Sequence, residues 1–145
     1  MVGYRKASNR LCMGGQLVQH AKYIRLYSDE KGESHFEDLE TELVPVDFAP
    51  PAAPLNIAQF LPATQSVWVG APVGWAGDEP HPSPRRQIFC TLQGEYEVTA
   101  SDGTVRNLPT GGVLLLENTS GKGHSTRVAS KQDVLILAVV LADPQ

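Results

Sequence analysis

Three side chains in the second half of the chain have types and placement suited to chemistry. His81 lies in Glu79-Pro-His-Pro-Ser-Pro84, Gln87 opens an apolar alternation, and His124 sits between Gly123 and Ser125. An imidazole can move a proton or, when neutral, serve as a metal ligand. A Gln oxygen is a weaker, uncharged donor. Arg85 and Arg86 adjoin this group and suit an anionic ligand, while Trp75 and Phe89 could line an apolar pocket, Trp75 at its lip in Gly74-Trp-Ala-Gly77. Taken alone, the two histidines carry little. A histidine among prolines also fits a turn, Gln87 also fits a cross-core hydrogen bond, and His124 also fits a loop that glycines permit.

The elements that must position these residues read as strands. Gln87–Leu92 and Glu95–Ala100 alternate about Gln93-Gly94, which predicts an antiparallel hairpin over Gln87–Ala100. On the first strand, Gln87, Phe89 and Thr91 share one face, and His124 would share a face with Thr126 and Val128. Further strands are expected at Tyr23–Tyr27, Ser66–Val69, Val105–Leu108, Val113–Leu116, Ser125–Val128 and Val134–Leu141, the last central because it is apolar on both faces. Gly70 to Pro84 reads as a loop, and residues 29–42, rich in Asp and Glu, read as a solvated loop and strand edge. Pro45, Pro50, Pro51, Pro54 and Pro62 suit extended chain wrapping over a barrel. With no convincing helical period, the fold class is all-β, a sandwich or barrel. Residues 1–22 form an arm and 23–145 one domain.

Composition narrows the function. A length of 145 residues supports one core, and a net charge of −4 lacks the clustered basic face of a nucleic-acid binder. No apolar run is long enough to cross a membrane, and Leu11–His20 is too broken by Gly and Gln for a secretory leader, so the expected location is the cytoplasm. Cys12 and Cys90 are too few for a disulfide framework. No nucleophile-elbow pattern surrounds any Ser, and the Gly121-Lys-Gly123 segment lacks the ending of a phosphate loop. Trp68, Trp75, Phe60, Phe89 and Tyr96 supply aromatic area for a pocket or a core. Glu95 and Glu97 read as outward-facing.

Two stretches together resemble the paired motifs of the cupins. In the first, His81 matches the leading His, Ser83 stands at the second His, Gln87 at the Glu, and Gly94 closes the motif at the family spacing. In the second, Gly103, Pro109 and Gly111 fit; strict spacing puts the His at Leu114 and the closing Asn at Asn118, and His124 is taken as the displaced histidine. The resemblance covers roughly residues 55–141 and is to small single-domain cupins of unassigned activity. It implies a cupin-type β-barrel, or double-sheet jelly roll, that pairs as a homodimer. It also implies one divalent transition metal (Fe, Ni, Cu, Zn or Mn) held by His81 and His124 with Gln87 completing the shell. The implied function is a metal-dependent enzyme acting on a small organic substrate, expected to be anionic, with oxygenase chemistry ahead of lyase or isomerase. Arg85, Arg86, Trp75 and Phe89 would contact the substrate. The alternative is a non-catalytic small-molecule-binding cupin with a vestigial metal site; an interaction module built on the acidic 29–42 segment has least support.

Overall fold

The computed structural model describes residues 5–6, 12–13 and 16–144, with side chains described from residue 18. The strands, in chain order, are β1 (Arg5–Lys6), β2 (Cys12–Met13), β3 (Gln16–Leu17), β4 (His20–Ser28), β5 (Ser34–Glu42), β6 (Val44–Val46), β7 (Leu55–Ile57) and β8 (Ala63–Ala71). They continue as β9 (Ala76–His81), β10 (Gln87–Gln93), β11 (Tyr96–Ala100), β12 (Val105–Leu108), β13 (Val113–Leu116), β14 (His124–Val128) and β15 (Val134–Leu141). Among the described residues there is no helix.

Two sheets make the barrel. Seven strands run in the order β1-β5-β4-β13-β10-β15-β8, and four in the order β12-β11-β14-β9; β2–β3 and β6–β7 are small separate hairpins. Every pairing is antiparallel except β13 against β4. This is a double-sheet jelly roll, the architecture implied by the cupin resemblance. The core forms where the inner faces meet: Leu26, Leu114, Leu116, Val134 and Ile136 from the larger sheet, and Tyr96, Val98, Ala100 and Leu108 from the smaller. Leu114, at the strictly spaced histidine position, is 1% exposed in that core and is not available to a site.

The strand expectations hold at Val105–Leu108, Val113–Leu116 and Val134–Leu141, and β15 is paired on both sides, with β10 and β8. The Gln87–Ala100 hairpin is corrected. β10 pairs with β13 and β15, whereas β11 pairs with β12 and β14, so consecutive strands lie in opposite sheets. Gly94, at φ 74°, turns the chain from one sheet to the other, and a side chain there would strike the Asp133 carbonyl. β11 buries alternate residues, whereas β10 buries Gln87 and Thr91 and leaves Ile88, Phe89 and Cys90 half-buried. Of residues 29–42, read as a solvated loop and strand edge, Ser34–Glu42 form β5, which is paired with β4 along its length. Its acidic side chains have partners: Glu33 with Lys122, Glu37 with Arg25, and Asp38 with Arg106. Cys12 lies outside the described side chains. Among the described residues, no helix is long and apolar enough to cross a membrane.

Candidate functional site

His81 is not in a loop. It ends β9, the edge strand of the smaller sheet, and its Cα lies opposite that of His124 at the start of β14. Opposed residues on antiparallel strands project to the same side, so the register itself brings the rings together, with centroids 5.1 Å apart and planes inclined at 53°. Gly123 makes the approach possible: a Cβ there would fall on the His81 carbonyl, and its φ of +79° is one that L side chains rarely adopt. β9 escaped the sequence reading because Gly77, Asp78, Glu79 and Pro80 are all poor strand formers. An edge strand tolerates such residues, because one side of its backbone needs no partner. The pairing of a glycine-flanked His with a second His was the one signal that could have exposed it.

Both rings open onto a cavity of about 350 Å³ between the two sheets. Gln87, Phe89 and Trp75 also line it, as expected, together with Val69, Ala71, Val134 and Ile136 from the larger sheet and Tyr96, Thr126 and Val128 from the smaller. Trp75 is held at the lip through its carbonyl, which accepts the Val128 N–H at 2.9 Å. Phe60 and Trp68 are not part of the lining; they are 75% and 65% exposed on the outside.

The arginines lie elsewhere, because residue 86 projects to the face of the sheet opposite Gln87. Arg86 Nε donates to Glu117 Oε2 at 2.6 Å, and the other oxygen of that carboxylate accepts from Arg25 Nε at 2.6 Å. Arg85 is exposed and reaches Gln65. Glu117 therefore ties the Arg86 end of the site strand to β4, a structural role the sequence reading missed. Glu97 faces outward, as expected, and pairs with Arg127.

A buried polar chain supports the polar end of the cavity. Ser83, 2% exposed, donates its N–H to the Asn118 carbonyl at 3.0 Å and its hydroxyl to the Arg85 carbonyl at 2.7 Å. Gln87 Nε2 donates to Ser83 Oγ at 3.3 Å. Asn118, fully buried, places Nδ2 at 2.7 Å from His124 Nδ1, while its Oδ1 has no hydrogen-bond partner. His81 donates Nδ1–H to the Pro82 carbonyl at 2.9 Å. Burial, and then the neighbouring His81, push the His124 pKa down to about 4, so this ring is neutral at pH 7.

The fit to a divalent metal can be judged from these donors. The cavity lining contains two imidazoles, one amide and no carboxylate or thiolate. Among the described residues no group of three His, Cys, Asp or Glu converges on one point. An Asn nitrogen can only donate, so His124 Nδ1 accepts and its proton sits on Nε2, which leaves no lone pair aimed at the cavity. In this arrangement the residues do not fit a metal. Turning the Asn118 amide over would reverse the tautomer and supply one further nitrogen lone pair, but no negative charge.

No family model matches the chain, and no curated protein matches it. Among solved structures it is similar to the cupin domain of Schizosaccharomyces pombe Cnp3, at 22% identity and a TM-score of 0.42. The match covers 70% of this chain and 64% of that one.

Proposed function

We propose that the barrel is a binding module for a small, neutral, mainly apolar organic molecule, oriented by His81, His124 and Gln87. The observation that carries this is the composition of the lining: a cavity of about 350 Å³ walled by aliphatic and aromatic side chains, with a few polar groups and no Asp, Glu, Lys or Arg. That volume and that mixture suit small-molecule sites. An anion would leave water for a cavity with no opposing charge, a large cost at low dielectric. The ligand class therefore shifts from anionic to neutral.

The test uses N-phenyl-1-naphthylamine, a neutral fluorophore that brightens in apolar surroundings. The expected result is saturable enhancement with one probe per chain, lost in Ala71→Phe, which fills the cavity from β8. Circular dichroism of the variant should be unchanged. Equal enhancement in wild type and Ala71→Phe would place the probe elsewhere and defeat the reading.

A metal-dependent enzyme, with oxygenase chemistry foremost, is the second reading, and the closeness of the two rings favours it. It requires the reversed Asn118 amide. Calorimetric titration with Zn²⁺ or Ni²⁺ decides it: a one-to-one isotherm lost in His124→Ala would support the metal, and no heat of binding would remove it.

A further inference from the structure

We infer that the two histidines are held in opposite tautomers, His81 as Nδ1–H and His124 as Nε2–H, and that the cavity selects a ligand carrying a primary carboxamide on an apolar body. The inference rests on the binding reading above and names its ligand class.

Donors and acceptors at the polar end are fixed by their neighbours. The Pro82 carbonyl can only accept, so His81 Nδ1 carries the proton and its Nε2 offers a lone pair. The Asn118 Nδ2 can only donate, so His124 Nδ1 accepts and its Nε2 offers an N–H. Gln87 is fixed by the same logic. The Ser83 hydroxyl gives its proton to the Arg85 carbonyl, so toward Gln87 it can only accept, and the amide must turn its nitrogen that way. Gln87 Oε1 is then left as a second acceptor. The two rings and Gln87 thus present two acceptors and one donor, all uncharged.

A primary carboxamide matches this set, with two N–H groups and one carbonyl oxygen. A carboxylate, ester or ketone brings no donor and leaves Oε1 of the buried Gln87 unsatisfied, whereas the exposed His81 ring keeps access to water. An unmatched buried group weakens binding by about tenfold or more. The matched amide instead replaces the hydrogen bonds these groups make to water.

Two measurements test it. The first is a long-range proton–nitrogen correlation spectrum of uniformly ¹⁵N-labelled protein, with rings assigned by loss of signal in His81→Asn and His124→Asn. His81 Nε2 and His124 Nδ1 should appear as unprotonated nitrogens. A protonated Nδ1 on His124 overturns the inference, and where a variant fails to fold the ring is assigned instead by through-bond correlation to the assigned backbone of the wild type. The second compares 2-naphthamide, N,N-dimethyl-2-naphthamide and 2-naphthoate by displacement of N-phenyl-1-naphthylamine. The primary amide should bind at least about tenfold tighter than its dimethyl derivative, with the carboxylate weakest. Equal affinity for the two amides overturns the selectivity even with the tautomers as stated. If no naphthalene compound and no fluorophore binds, the binding reading fails and takes the selectivity with it, while the tautomer spectrum is still decided separately.

Discussion

Acidification should destabilise this protein through His124 in a way that can be isolated. The folded ring has a pKa of about 4, because burial and His81 disfavour its charged form, whereas in the unfolded chain it titrates near ~6.5. The folded pKa is the lower one, so the unfolded state takes up the proton first. Stability is then full above pH ~6.5 and falls as the pH drops toward ~4. Integrated between those values, the loss at pH 5 is about 2 kcal/mol, and the limit below pH 4 is about 3 kcal/mol. The assay is urea unfolding of wild type and His124→Gln at pH 7 and pH 5. The difference between the two proteins should change by about 2 kcal/mol over that interval, against the wild type at the lower pH. Carboxylates titrating elsewhere affect both proteins alike and cancel. Parallel pH dependences in the two proteins would show that His124 is not buried as a neutral ring, and the site geometry would need to be redrawn.

Other perturbations have equally definite outcomes. Glu117→Gln removes the charge that holds Arg25 and Arg86, each at 2.6 Å and all three side chains less than a third exposed, and should lower stability by about 2 kcal/mol. Differential scanning calorimetry should show a fall of roughly 5–10 °C; a change within one degree would mean that solvent screens the cluster. His35, bonded to Asp29 at 2.7 Å and Asp102 at 2.9 Å, has the opposite sign to His124. These bonds, Asp29 first, raise its pKa, so its stabilisation is complete below its unfolded value and is lost as pH rises through the raised one. A His35→Gln variant should therefore converge with wild type in alkaline urea melts and diverge from it near pH 6. Gln87→Glu buries a carboxylate beside Ser83 with no cation in the cavity lining, and should cost about 2 kcal/mol at pH 7, recovered on acidification as the group protonates. Zinc that restored its melting temperature at pH 7 would favour the metal reading.

Much of the fold was legible because the strands of the second half either alternate with period two or form short continuous apolar runs, and are bounded by Gly and Asp turns. Val105–Leu108, Val113–Leu116 and Val134–Leu141 were readable to the residue. Which strands pair was less legible. A Gln-Gly step between two alternating runs reads as a hairpin, yet Gly94 carries the chain across the core instead, and one-dimensional periodicity is the same in either case. β9 was invisible for a different reason: its composition opposes strand formation, and only its pairing with β14 makes it one. At the site, His81, Gln87, His124, Trp75 and Phe89 were legible from type and alternation, and the structure gathers all five around one cavity. Arg86 lies outside the cavity because neighbours on an extended chain point to opposite sides, and Arg85 because it precedes β10 and is exposed toward Gln65. Asn118 falls on the closing Asn of the motif spacing, but its contact with His124, six residues on, is set by the turn between them and not by that spacing.

The location of His81 on an edge strand has a dynamic consequence. β9 is hydrogen-bonded to β14 alone, and its register slips between His124 and Thr126. It contributes no residue to the buried core cluster, so peeling it away exposes little apolar surface and should cost far less than global unfolding. Its amides should therefore exchange with deuterium well before those of β11 and β14. Each opening also carries one of the two rings away from the cavity and parts the wall nearest the solvent. If a molecule bonded to both rings occupied the cavity, as proposed above, it would slow that local opening and the exchange of the β9 amides.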